Sequence, residues 1–391
     1  MHRNPRLSAL NSWLVAGAPG ADGFSEINAE IGRRLKAANL PVDFFGIYKT
    51  LMHPELPGRF DFWTEVAGPK TVRLTPRQLR ESDQWIGTPG QVCSNTGRML
   101  LYSFGDNPDF DGRPDMKALQ KRGYVQSLCL PLHSRYTPDL NVAIAMTKAN
   151  GGFDEDQIEV FRGLQAPIAR VTEGFVLHES TVAVLSTYVG RDAGSRVLTG
   201  NIRRGDTENI PSIVLFIDLE SFTQFSNTAA PEDTIGYLNR FFSVLDESVC
   251  RNGGEILKFI GDGAMAIFPT PDDQSAQIAA IDGALATLEE TRMSMVDKTI
   301  GETTLNFRAA LNVGDVHYGN IGSVNRMDFT VVGPTVNLTA RLLEVGASLG
   351  KRMVCSYEVY RLIDADLEDL GEHSFKGFEK PVRVFSLEDY G

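Results

Sequence analysis

Asp218 closes the apolar run Ile213 to Ile217 in "IVLFIDLESFTQFS", and Asp262 is the only side chain of the turn Gly261-Asp262-Gly263 in "EILKFIGDGAMAIF". A carboxylate at the end of each of two apolar strands is what a hard divalent cation needs: one or two acidic ligands, with water and substrate phosphate completing the shell. A pair of such ions can clamp the attacking and leaving oxygens of a phosphoryl transfer. Both aspartates also have structural uses, since Asp218 can cap a helix opening near Ser221 and Asp suits a hairpin turn. Lys258 stands three residues before the turn, in a strand that otherwise alternates into it. Asn337 and Arg341 are four apart in "NLTAR", which puts both on one face of a helix, where a polar solvated face is the ordinary alternative. Lys376 precedes Gly377 and reads by itself as an exposed turn lysine.

The elements that must position these residues form an α+β pattern. In the second half, period-two runs predict strands near 211–219, 255–260, 264–269, 305–313 and 328–333. Helical spacing predicts helices near 231–252, 271–295 and 334–350, giving a mainly antiparallel sheet with flanking helices. In the first half, Phe24, Ile27, Ile31 and Leu35 mark a helix over 23–39. Four strand-like runs follow: "VDFFGIYKTL", "FDFWTEV", "YVQSLCLPL" and "VAIAMTK". From Phe161 the apolar positions Phe161, Leu164, Ile168, Val171, Phe175, Val182, Leu185 and Val189 recur at three and four, with His178 interrupting. That is a heptad seam of a parallel coiled coil or the inner face of an amphipathic helix on its own domain, with Pro167 and Gly174 weakening it. A histidine in such a seam would tune register or respond to pH. Residues 189–212, rich in Gly, Arg and Asp, read as a connector.

A chain of 391 residues suggests two domains. A hydrophobic content of 42% lets each bury a core. The net charge of −12 argues against nonspecific binding to nucleic acid or anionic membrane. Cys93, Cys129, Cys250 and Cys355 show no C-x-x-C spacing, so neither a zinc site nor a disulfide framework is expected, and a reducing compartment is the simple reading. The apolar runs are too short to span a bilayer, and "WLVAG" is too short for a signal peptide, so a cytoplasmic location is expected. His53, Cys93 and His133 are ligand types, more often packing or surface residues than a site.

Taken together, the motifs of the second half resemble the catalytic domain of class III nucleotidyl cyclases. "FIDLESFT", "KFIGDG", "GNIG" (319–322), "DFTVVGPTVNLTAR" (328–341) and "FKGFEKPVRVFSL" (375–387) occur in the family's order. The resemblance implies conversion of a nucleoside triphosphate to a 3′,5′-cyclic monophosphate and pyrophosphate, with Mg²⁺ or Mn²⁺, two per site. It implies that Asp218 and Asp262 hold the metals, helped by the Leu219 carbonyl. Lys258 and Thr330 would read the base, placing a metal ligand and a base reader of one hairpin within one site. Lysine favours ATP, because its ammonium donates to an adenine ring nitrogen where guanine's donor edge wants an acceptor. Asn337 would orient the ribose and Arg341 would meet charge at the α-phosphate. Lys376 and the amides of Ser221, Phe222 and Thr223 would hold phosphate. Asp218 or solvent would take the proton of the attacking 3′-hydroxyl.

Two positions depart from the family pattern: Ser221 stands where glycine is usual, and Asn312 where histidine is frequent. The resemblance further implies a head-to-tail homodimer whose sites are shared between subunits. The expected organisation is a sensor domain over 1–153 that resembles GAF and PAS modules, a helical linker and connector over 154–210, and the cyclase domain over 211–391. The function so implied is an adenylate cyclase under control of the first domain, which would take a small-molecule or protein input. The rivals are a guanylate cyclase and a degenerate nucleotide-binding signalling module. A diguanylate cyclase, suggested by "GGEIL", lacks that family's core motif.

Overall fold

The computed structural model describes residues 4–82, 85–106, 108–135, 141–271, 273–296, 306–363 and 365–387. The chain divides into two compact units, Met1–Val184 and Leu185–Gly391.

In the first unit Asn4 caps α1 (Pro5–Val15), its side chain accepting from the amides of Arg6 and Leu7. The expected helix is α2 (Phe24–Ala37), and the expected strands are β1 (Phe44–Thr50), β2 (Gly58–Thr64), β5 (Gln126–Leu132) and β6 (Asn141–Thr147). Between them lie β3 (Gly68–Leu74), α3 (Pro76–Glu81), α4 (Pro89–Thr96), β4 (Leu100–Ser103), α5 (Pro108–Asp111) and α6 (Pro114–Lys121). The strands make a six-stranded sheet in the order β3-β2-β1-β6-β5-β4. Alternation along β1 sends Phe45 and Ile47 to one core, and Phe44 to a second, aromatic cluster with Tyr102, Phe110 and Tyr124.

A 35-residue helix, α7 (Glu155–Val189), corrects the coiled-coil expectation over its first half. Phe161, Leu164, Ile168 and Val171 are buried against the unit's own core with Ile27, Ile31 and Leu128, so they are not offered to a partner helix. Val182, Leu185 and Val189 remain half-exposed. The spacing is the same in both readings, and only the intrachain sheet decides which surface takes it. His178 is exposed, at a groove of about 450 Å³ that Leu14, Pro167 and Phe175 also line.

Further along, α7 is held by charge. Lys49 of β1, fully buried, donates to Glu179 of α7 at 2.5 Å and lies 3.7 Å from Asp61 of β2. Arg59, opposite Lys49 in the β1–β2 register, bonds Glu179 at 2.7 Å and Asp61 at 2.8 Å. Two cations facing each other across a strand pair repel, and the two carboxylates offset this. Burial pushes the Lys49 ammonium down to about 8, against the pull of Glu179.

The second unit takes in the end of α7 from Leu185 and then α8 (Arg191–Leu198), within the stretch expected to be a connector. Its Ala193 is buried in a core with Val316 and Phe329, and Arg196 lies 5.2 Å from the Tyr318 ring centroid. Glu255 accepts from the Asp192 amide at 2.9 Å and so caps the helix. Short helices with small apolar faces escape periodicity, which is why 189–212 read as loop.

The sheet of this unit comprises β7 (Thr207–Leu219), β8 (Glu255–Ile260), β9 (Gly263–Pro269), β10 (Phe307–Gly322), β11 (Met327–Val332), β12 (Met353–Ser356), β13 (Asp369–His373) and β14 (Val382–Ser386). Its order is β13-β14-β12-β10-β7-β9-β8, with β11 on β10. Only the β10–β12 pair is parallel among the described strands. The helices are α9 (Phe222–Ser226), α10 (Pro231–Arg251), α11 (Gln274–Val296), α12 (Pro334–Ser348) and α13 (Tyr357–Tyr360). Helices α10 and α11 bury Tyr237, Phe241, Leu245, Ile281 and Leu288 on Ile213, Leu215 and Ile217 of β7.

Lys49→Met leaves Glu179 and Asp61 with one buried cation instead of two. It should destabilise the first unit by about 3 kcal/mol, and Lys49→Met with Glu179→Leu should recover much of that loss. Chemical denaturation followed at the first unit's transition checks both.

Candidate active site

The two aspartates are brought together by strand register. Strand β7 runs between β9 and β10, with Asp218 opposite Gly263 on one side and Arg308 on the other. Asp262 is the residue before Gly263, so the β8–β9 turn delivers it beside Asp218. The approach requires glycine at 263: a Cβ there would lie 2.5 Å from the Ile217 carbonyl oxygen and 3.5 Å from the Asp218 Cβ. Both aspartates are half-buried. Burial, and then the charge and hydrogen bond of Asp262, push the Asp218 carboxyl up to about 6, while Arg308 and the Leu219 backbone pull the other way. The third acid of the segment, Glu220, is already paired, with Arg308 at 3.2 Å and Arg352 at 3.0 Å. Burial alone would raise Glu220, but the two guanidiniums outweigh it and hold its carboxyl low.

A half-buried Asp218 whose ionisation is made costlier by a second carboxylate beside it fits a divalent cation, which would relieve that cost. Among the described residues no group of three His, Cys, Asp or Glu is placed to hold a metal. The shell would therefore be completed by water, substrate oxygen or a backbone carbonyl such as that of Leu219, whose side chain is buried in the core. His53, Cys93 and His133 do not gather: His53 accepts from the amides of Glu55 and Leu56, Cys93 is in the core, and His133 is exposed.

Ser221 explains its own departure from the family pattern. It adopts φ 62° and ψ 17°, the left-handed region, immediately before α9, and its side chain makes no cap bond. Glycine adopts this conformation without the Cβ penalty of about 1–2 kcal/mol. Phe222 packs on the core, and Thr223 is exposed.

Lys258 and Thr330 belong to a second group. A register shift between Ile256 and Lys258 breaks the alternation of β8. Lys258 then donates to Asp328 of β11 at 2.6 Å. Thr330 is two residues along the same strand and buried, while Phe329 and Val331 between and beyond enter the core. Within one chain the turn carries Asp262 to Asp218, and the bulged strand carries Lys258 to Asp328. Asp328 carried no signal in the sequence that separated it from a surface acid.

Asn337 and Arg341 are exposed on α12, whose Val336, Leu338 and Leu342 are buried on the opposite side, as their spacing predicts. Arg341 bonds Glu344 at 2.7 Å. The buried Asn312 acquires a role that the sequence did not show: it donates to the Thr335 carbonyl at 3.1 Å and fixes the start of this helix to β10. Asn320 of "GNIG" is also buried and donates to the Asn201 carbonyl at 2.9 Å, tying the segment after α8 to the sheet. Lys376 is exposed between buried Phe375 and Gly377, the latter at φ 94°.

With this geometry, residues 206–389 match the adenylate and guanylate cyclase catalytic domain family. The uncharacterized protein Rv1318c of Mycobacterium tuberculosis is 29% identical over 248 residues, covering 59% of this chain and 42% of that protein. Rv1320c of the same organism is 29% identical over 261 residues, covering 64% and 44%. The chain thus spans less than half the length of these curated relatives. The adenylyl cyclase CyaB from P. aeruginosa is 29% identical over 46% of this chain and 95% of its own, with a TM-score of 0.40. The guanylyl cyclase Cya2 is 27% identical over 46% and 92%, also with a TM-score of 0.40.

Asp262→Asn should raise the metal-free melting temperature at pH 7 by about 2–4 °C, as expected for about 1 kcal/mol of relieved repulsion. The same variant should lose the stabilisation that Mg²⁺ or Mn²⁺ gives the unaltered protein. Thermal melts with and without each ion check both. Ser221→Gly should stabilise the second unit by about 1 kcal/mol, measured by denaturant midpoint.

Proposed function

We propose that the protein is an adenylate cyclase acting as a homodimer, with the first unit in control. The observation that carries the reading is the forced adjacency of Asp218 and Asp262 at strand ends, beside helix α9. Substrate would bind with its phosphates at the amides of Ser221, Phe222 and Thr223 and at Lys376. Lys258 and Thr330 would take the base, the lysine donating to adenine. Asn337 would orient the ribose, and Arg341 would stabilise charge on the α-phosphate as the bond to pyrophosphate breaks. When bound at Asp218 and Asp262, divalent cations supply charge neutralisation at the phosphates and acidify the 3′-hydroxyl. That hydroxyl's oxygen forms the new bond to the α-phosphorus, its proton leaves to Asp218 or solvent, and pyrophosphate departs.

Two features support a shared site. Lys258 is bonded to Asp328 of β11, and Asn337 and Arg341 face solvent on α12. A head-to-tail pair of catalytic domains brings one subunit's aspartates to the other's α12. Control by the first unit is supported by α7, which is part of that unit's core at Phe161 to Val171 and runs on to Val189. The proposed sensor, linker and cyclase boundaries are 153 and 210, and the two compact units divide within α7, between Val184 and Leu185. Among the described residues no helix is long and apolar enough to cross a membrane.

Purified protein with Mg²⁺ or Mn²⁺ should form cyclic AMP from ATP faster than cyclic GMP from GTP. Asp218→Ala and Arg341→Ala should each abolish turnover, and an equal mixture of the two should regain about a quarter of the unaltered rate through one intact site per mixed dimer. No recovery on mixing would leave the shared site without support, and a faster GTP reaction would assign the protein as a guanylate cyclase.

A further inference from the structure

We infer that Asp328 is a further member of the base-reading group, a positioning residue that fixes the Lys258 ammonium beside Thr330 and so sets the preference between purines. The inference rests on the reading of the second unit as a purine-nucleotide cyclase. It goes beyond that reading because Asp328 is not among the residues the motifs assign.

Three observations carry it. Strands β8 and β11 are not hydrogen-bonded neighbours in the sheet, so the 2.6 Å contact from Lys258 to Asp328 is a deliberate bridge between them and not a by-product of pairing. The bulge in β8 lets Leu257 pack on the core of α8 and β10 while Lys258 turns outward toward β11; bulges re-aim side chains in this way. Finally, alternation puts Asp328 and Thr330 on the same side of β11, with Phe329 directed into the core between them.

The chemistry follows from the donor inventory. A lysine ammonium on a four-carbon stem is a mobile point charge with three donors. One donor spent on Asp328 localises the nitrogen and leaves two for a base. The side chains of Lys258 and Asp328 are 42% and 39% exposed, so the pair contributes little to stability. Its effect is expected on substrate, where a preset donor lowers the ordering cost of binding. Lys258 holds the Asp328 carboxyl below the usual carboxylate range, so Asp328 stays ionised through neutral pH.

The test is steady-state kinetics with ATP and GTP on the full chain, together with equilibrium binding of non-cyclisable ATP and GTP analogues. Asp328→Ala should raise the KM for ATP about tenfold with a smaller change in kcat, and should lower the ATP-to-GTP ratio of kcat/KM by about the same factor. Asp328→Glu should recover part of the loss. In a Lys258→Ala background, Asp328→Ala should add nothing. An unchanged nucleotide ratio and analogue affinity in Asp328→Ala overturns the inference, as does an equal loss with and without Lys258. If Lys258→Ala itself leaves the ratio unchanged, the base-reading role of Lys258 falls, and this inference with it. That outcome is told apart from the first because it appears in the single lysine variant.

Discussion

Two carboxylates held side by side in partial burial repel each other, and the second unit is built to keep them there. Asp218 ends a strand whose Ile213, Leu215 and Ile217 are locked beneath α10 and α11. Asp262 sits on a turn whose next residue has no room for a side chain. The β7–β9 register fixes the two backbones beside each other. Burial first, and then the neighbouring Asp262, push the Asp218 carboxyl up to about 6. Structure that pays for such a repulsion is a common feature of sites that capture cations.

The neighbouring acid shows how selective the arrangement is. Glu220 follows Asp218 by two residues but meets Arg308 and Arg352, so its charge is matched within the chain. Arg308 also tempers Asp218 from across the strand pair. The fold therefore separates one neutralised carboxylate from two whose charge is unmatched by comparison, and only the latter pair has reason to recruit an ion. The polar face of α12 is treated likewise: Asn312 fixes its first turn from beneath, while Asn337 and Arg341 are directed outward.

The two units spend charge differently. In the first, Lys49, Arg59, Asp61 and Glu179 form a largely buried network in which two cations face two carboxylates, and it ties α7 to the sheet. A buried network of this kind adds little net stability but specifies one arrangement, because any other leaves a charge unpaired. In the second, the Lys258–Asp328 pair lies near the surface, where water competes and its strength is small. The first kind holds an element in place, and the second leaves a side chain available for something else to bind.

The sequence by itself determined the central elements of the second unit, because β7, β9, β10 and α12 each carry a clear period, while Asp218, Asp262, Lys258, Asn337 and Arg341 were singled out by the resemblance of their motifs to a known family. It also determined the sheet strands β1, β2, β5 and β6 of the first. Tertiary structure alone decided the rest, since a period states that a face is apolar and not what covers it. The seam at Phe161 to Val171 went to the chain's own sheet. The loop-like stretch after Gly190 became a docked helix, because Glu255, distant in sequence, caps it. A bulge of one residue, invisible in a run of hydrophobics, turned Lys258 to Asp328 of β11. Long-range pairing of this kind is fixed by which strands meet, and that is a property of the whole sheet.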